Sequence, residues 1–281
     1  MKVLVSGASS MIGHFLLPML VRSGCDVIAM SRQNQDAVDG VRWIKADLLI
    51  ENSLLNLDKV DIWIHLGRIT LLSSAISMHA VRLGIQRVVA FSSTSQFTKA
   101  TSKNLHDRGI ADWLVEGELQ LERVCQQHSI AWIVFRPTLI YCLGCDKNLT
   151  LIRSFISKFS FFPLPAGGKG LRQPVHAEDL AHACVQVLSN QASLNKAYTL
   201  SGGEILSYRN MVTGVFLSME KKPRFLHVPL FLLRTVIYVA RILPKYRYLT
   251  ADMADRIAMD MVFSHDEATK DFGYTPRLFQ P

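Results

Sequence analysis

Seven residues near the start of this chain have the types and spacing to hold a pyrophosphate. Gly7-Ala8-Ser9-Ser10-Met11-Ile12-Gly13 follows the apolar run 2–6 and leads into Phe15, Leu16, Met19 and Leu20 at helical spacing. A tight turn there lets backbone N–H groups at a helix N-terminus meet phosphates, and Gly7 and Gly13 supply the close approach this needs. Ser10 stands where a further glycine is usual and is small enough to remain compatible. The reading is a dinucleotide site drawing on Gly7, Ser9, Ser10, Met11, Ile12 and Gly13. Ser31-Arg32 follows the second apolar run, with no carboxylate at 30–33 to accept from ribose hydroxyls and a guanidinium able to grip a phosphate. That pairing favours NADP over NAD. Asp47-Leu48, after the third run, is placed to approach an adenine, although an Asp at a strand end is also a common turn former.

These residues need strands that end together. Apolar runs at 2–6, 26–30, 41–45, 60–66, 86–92 and 131–136 read as strands, with helical patterns after Gly13 and near 71–83 and 111–127. Alternating strand and helix predicts an α/β fold with a Rossmann-like, doubly wound parallel sheet. Beyond Pro137 the alternation loosens. Pro163, Pro165, Gly167, Gly168 and Gly170 predict a long loop, 177–188 a helix and 196–200 a strand, and the chain from 204 onward reads as mainly helical. The expected division is a dinucleotide-binding core over 1–145, to which 174–200 returns, and a small C-terminal substrate lobe from 146–173 and 201–281.

Composition narrows the class. The 281 residues carry a formal charge of +8, 49% hydrophobic and 19% charged residues, a globular balance suited to an anionic small-molecule partner. Five cysteines, an odd number, favour free thiols in a reducing compartment, and the opening run lacks the apolar stretch and cleavage site of a signal peptide. Cytoplasmic location is the expectation. No nucleic-acid module or aromatic-interleaved basic patch appears, so no nucleic-acid partner is expected.

The order of Gly7 to Gly13, Asp47-Leu48, Phe91-Ser92-Ser93-Thr94, Arg136-Pro137-Thr138 and 173–180 (QPVHAEDL) resembles the NAD-dependent epimerase/dehydratase family, an extended or atypical branch of the short-chain dehydrogenases. The resemblance runs over nearly the whole chain. It implies a Rossmann domain with a C-terminal substrate lobe, cofactor contacts at Arg136 and Pro137, a nucleotide-sugar substrate in many relatives, and dimers as a common assembly. It also implies that Thr94 takes the place of the Ser or Thr that hydrogen-bonds the reacting carbonyl or hydroxyl. The family's Tyr-x-x-x-Lys pair is missing. Aligned on Glu122, the helix puts Leu114 at the Tyr position and Glu118 at the Lys position, and no Tyr anywhere is followed four residues later by Lys. Leucine carries no proton. Three readings stay open: a substitute acid/base, with Tyr141 ahead of Lys99, Lys103 and His176; a cofactor-binding protein without turnover, used for assembly or redox sensing; or a reduction whose proton comes from water.

Other groupings carry weaker chemistry. In the loop 167–174, Lys169 and Arg172 suit a substrate phosphate, with His176 beside them, and the resembled family borders its substrate's nucleotide there. Cys142-Leu143-Gly144-Cys145 has C-x-x-C spacing but no second pair for a zinc site, and reads as two loop thiols. Residues 205–250 hold eight Lys or Arg against one acid, Glu220. Within them, 225–243 reads as an apolar helix that either lies at a membrane surface or packs on the core, its Arg234, Arg241 and Pro229 arguing against a span.

Overall fold

The computed structural model describes residues 1–229, 231, 235, 238 and 257–281. Its strands are β1 (Lys2–Ser6), β2 (Asp26–Ser31), β3 (Val41–Lys45), β4 (Ile62–His65), β5 (Arg87–Phe91), β6 (Ala131–Pro137), β7 (Ile140–Tyr141), β8 (Phe162–Pro165), β9 (Leu171–Arg172), β10 (Val175–His176), β11 (Lys196–Leu200), β12 (Leu206–Ser207) and β13 (Phe225–Val228). Its helices are α1 (Met11–Arg22), α2 (Ile69–Leu83), α3 (Ser95–Lys99), α4 (Leu105–Gln127), α5 (Asn148–Phe159), α6 (Ala177–Gln186), α7 (Tyr208–Ser218) and α8 (Asp266–Phe272).

Seven strands form one parallel sheet in the order β11-β6-β5-β4-β1-β2-β3. Because side chains alternate along a strand, each strand feeds two cores. Val3, Val5, Ala29, Ile64 and Val89 enter one with helices α1 and α6; Leu4, Ile28, Trp63, Val88 and Val134 enter the other with α2 and α4. Both faces are covered, which is why these strands read as continuous apolar runs. Strand order reverses between β1 and β4, and such a reversal opens a crevice at the strands' carboxyl ends. A third apolar cluster joins α5 and α7 through Leu149, Ile152, Ile156, Met211, Val215 and Phe216.

The local differences from the sequence reading lie outside the sheet. Helix α4 begins six residues before the periodic pattern suggested, because Asn104 caps it by accepting from the His106 N–H at 2.9 Å. The proline loop contains β8, which pairs in parallel with β13, so 225–228 is strand and not the start of a helix. The remainder of that expected apolar helix, whether at a membrane surface or packed on the core, lies almost wholly outside the described residues. Among the described residues no helix is long and apolar enough to cross a membrane.

Candidate functional site

The glycine turn is built as a cradle. Gly7 has φ +71°, a conformation that disfavours a side chain, and its carbonyl accepts from the Ser10 N–H at 3.0 Å. Ser10 then caps α1, its Oγ accepting from the Gly13 N–H at 3.2 Å. At Gly13 a Cβ would stand 2.0 Å from the Ala8 carbonyl oxygen, so only glycine lets the helix start so close to the loop. The geometry brings the first-turn amides of α1, with the positive end of its dipole, to the mouth of the crevice.

Two of the cavities that border this turn bear on the expected site. The larger, about 970 Å3, lies over the carboxyl ends of β1 to β4 and is lined by Gly7, Ser9, Ser31, Arg32, Asp47, His65, Gly67 and Arg68. Arg32 is exposed within it, and no carboxylate stands at positions 30–33. The Ser31 hydroxyl accepts from the Gln33 N–H at 3.1 Å and Gln35 Nε2 at 3.3 Å, shaping that loop, while Asp47 Oδ1 accepts from the Leu49 N–H at 3.0 Å. Leu48 faces the core instead, with Leu49 in the lining. The smaller cavity, about 460 Å3, is lined by Met11, Ser93, Thr94, Thr98, Thr138, Cys145, Arg172 and Gln173 among others. Met11 thus links the glycine turn to the second cavity.

His65 was not found by sequence reasoning; its one signal was a histidine ending an apolar strand. Trp63 Nε1 donates to Ser6 Oγ at 2.8 Å, the Ser6 hydroxyl lies 2.8 Å from His65 Nδ1, and His65 Nε2 lies 3.0 Å from the Arg68 carbonyl. The Arg68 carbonyl can only accept, so Nε2 carries the proton of the neutral ring and Nδ1 accepts from the Ser6 hydroxyl. Burial pushes the imidazole pKa down to about 4, so the ring is neutral in this chain. It ties the loop 66–68 across the sheet to β1, beside Gly7.

At the expected proton-transfer positions the chemistry is different. Leu114 is buried in the core under α2 and α4. The Glu118 carboxylate, which holds the place of the family's ammonium, accepts from Arg136 Nε at 3.1 and 3.0 Å and from Gln96 Nε2 at 2.7 Å. Arg136 therefore faces Glu118 and the Phe97 ring, and neither it nor Pro137 lines either cavity. Lys99 is paired with Asp107 at 3.0 Å.

The structure does not bring Tyr141 to Thr94. Tyr141 is 1% exposed, packs against His176 and Phe279, and accepts from the Gln280 N–H at 3.2 Å; burial raises its pKa. It is a wall residue outside the lining of both cavities, which corrects the expectation of a proton carrier. Thr94 does line the cavity, and its hydroxyl donates to the Pro137 carbonyl at 3.1 Å.

The substrate-side residues are also dispersed. Arg172 is buried in the cavity wall, donates to the Leu171 and Met259 carbonyls at 2.7 Å and stacks over Tyr208. Lys169 is exposed outside that lining, and His176 caps α6 by accepting from the Glu178 N–H at 3.2 Å. No cluster of three metal-ligating side chains occurs among the described residues.

A family model described as the NAD dependent epimerase/dehydratase family matches residues 3–201, from β1 through β11. The chain is 26% identical over 118 residues to a UDP-glucose 4-epimerase of Vibrio cholerae, across 41% of this chain and 35% of that protein. It is 29% identical over 85 residues to a protein of Arabidopsis thaliana named as mitochondrial NADH dehydrogenase [ubiquinone] 1 alpha subcomplex subunit 9, across 30% and 21% of the two chains. These matches span about a third and about a fifth of the two relatives' lengths. In fold the chain is similar to an epimerase of Methanothermobacter thermautotrophicus, with TM-score 0.75 and 15% identity over 99% of this chain and 88% of that one.

Proposed function

Because this chain belongs to the NAD dependent epimerase/dehydratase family, we propose that it binds a nicotinamide dinucleotide across the two cavities and holds it without the family's proton relay. The fit rests on the cradle: a Cβ at Gly7 would meet the Gly67 nitrogen at 3.0 Å, and one at Gly13 would strike the Ala8 carbonyl oxygen. Gly7, Ser9 and the α1 amides would hold the pyrophosphate, with Asp47 near the adenosine and Met11 leading toward Thr94. Such a group supplies hydride transfer when bound; the chain's own residues bind and orient it.

The carrying observation is the Arg136 and Gln96 grip on Glu118, with Leu114 buried one turn earlier. A carboxylate held this way cannot lower a neighbouring phenol's pKa as an ammonium does, and Leu114 supplies no phenol to be lowered. The reading is a dinucleotide-binding module used for assembly or redox sensing. The similarity to a protein named as a subunit of a larger enzyme supports it.

We further propose NADP as the preferred form, because Arg32 is exposed in the cleft beside Ser31 with no competing carboxylate at 30–33. The cytoplasm is the proposed compartment, supported by five unpaired cysteines. A second reading, an epimerase, dehydratase or reductase acting on a nucleotide sugar or related carbonyl, is favoured by the cavity that joins Thr94 and Arg172. Calorimetric titration with NADP, NADPH, NAD and NADH, followed by turnover assays with nucleotide sugars, separates the two. Binding without turnover is the expected result. Turnover that Thr94→Ala abolishes would overturn it in favour of the second reading.

A further inference from the structure

Residues 142–145 form a β-turn at the edge of the smaller cavity. The Cys145 N–H donates to the Cys142 carbonyl at 2.8 Å, and Gly144, third in the turn, has φ +87°. That is the signature of a type II turn, whose first and fourth Cα atoms lie within about 7 Å. A disulfide needs Cα atoms about 4.4–6.8 Å apart, a separation that a turn of this span can supply. Burial first, and then the neighbouring Cys145 thiol, push the Cys142 thiol up to about 12. Asp146 locks the turn from below, its Oδ1 accepting from the Leu149 N–H at 2.6 Å and its Oδ2 from the Cys142 N–H at 3.4 Å. Gly144 N–H donates to Thr150 Oγ1 at 3.2 Å, which ties the turn to α5.

Exposure makes the pair selective. Cys145 is exposed and lines the cavity with Thr94 and Arg172, whereas Cys25, Cys125, Cys142 and Cys184 are buried. Burial raises the thiols of Cys125 and Cys142 to about 12 and pushes Cys184 up as well, so exposed Cys145 is the thiol that meets an oxidant first, and Cys142 acts only as its neighbour within the turn.

We propose that Cys142 and Cys145 are a reversible redox pair that closes a disulfide within this turn, in the wall of the cavity, on meeting a low-molecular-weight disulfide. The Cys145 thiolate attacks one sulfur of the oxidant, forming a mixed disulfide and releasing one thiolate, which takes up the proton Cys145 gave to solvent. Cys142 then loses its proton, its sulfur bonds to Cys145 Sγ, and the second small thiol leaves with that proton. Two cysteine thiols are oxidised and one disulfide is reduced to two thiols.

The test uses the full native chain and glutathione disulfide, with thiol counting, alkylation and peptide mass mapping. The expected result is a loss of two of the five thiols per chain. The loss appears as one peptide lighter by two hydrogens that links Cys142 to Cys145, and dithiothreitol restores both thiols. Cys142→Ser should instead stop at one glutathione on Cys145, and Cys145→Ser should keep its remaining four thiols. The wild-type result needs no substitution and stands even if a variant fails to fold. A persistent glutathione adduct on wild-type Cys145, a disulfide between two chains, or no loss of thiols would each overturn the proposal.

Discussion

The guanidinium of Arg136, near the end of β6, meets the Glu118 carboxylate of α4 with Nε 3.1 and 3.0 Å from its two oxygens. Bidentate geometry fixes both side chains, and Gln96 closes the remaining side at 2.7 Å. The pair is mostly buried, with the two side chains 25% and 11% exposed. Its energetic meaning lies in what happens when one member is removed. Glu118→Gln leaves a guanidinium without its counter-charge and should destabilise the fold by about 2–3 kcal/mol, below the value for a fully buried pair. Denaturant midpoints of Glu118→Gln and of Glu118→Gln/Arg136→Met check this. The double variant should recover much of the loss.

Grafting the family's pair should fail for the same reason. Leu114→Tyr/Glu118→Lys sets an ammonium against Arg136 and a phenol into an apolar core. The expectation is a lower Tm than wild type and no gain in turnover. A stable, active graft would show that the site needs only those two side chains.

The glycine cradle makes the sharpest binding prediction. Gly13→Ala forces a Cβ into the Ala8 carbonyl oxygen, so the loop must shift away from its present path. NADP affinity should fall at least tenfold, which is about 1.4 kcal/mol. Gly13→Asp should abolish binding by adding a carboxylate where the pyrophosphate would sit in the proposed site. Calorimetry reads both, and unchanged affinity would remove the site assignment.

Arg32 should decide between the two dinucleotides. Arg32→Glu withdraws a phosphate partner and adds an acceptor for ribose hydroxyls. NADP affinity should drop about tenfold or more, at the cost of about 1.4 kcal/mol, while NAD affinity holds or rises. An equal loss for both cofactors would place Arg32 outside the adenosine end.

The buried imidazole of His65 gives the fold a pH dependence of known sign. Its folded pKa is lowered from 6.5 to about 4 by burial, so the unfolded chain takes up this proton first as pH falls. Stability is therefore present in full above pH 6.5, declines between 6.5 and 4, and has lost about 3 kcal/mol from this group below that window. Burial also lowers the pKa of His79, His176 and His265, which adds in the same direction. Urea midpoints measured from pH 7 to pH 4 should fall accordingly, and His65→Asn should flatten much of the slope.

The sequence by itself determined the sheet and the glycine turn. Parallel strands buried on both faces must be continuous apolar runs, and a turn that admits backbone amides to a phosphate must have glycine at Gly7 and Gly13, so both are written in residue type. The absence of the Tyr and Lys was equally plain, since a missing side chain needs no geometry. Only the tertiary structure decided what replaced them. The partners of Glu118 lie 18 and 22 residues away along the chain, the Thr94 proton goes to a carbonyl 43 residues on, and Tyr141 meets Gln280 from the far end. Hydrogen bonds between segments so distant depend on how helices close over the sheet, and local residue patterns carry no record of that closure.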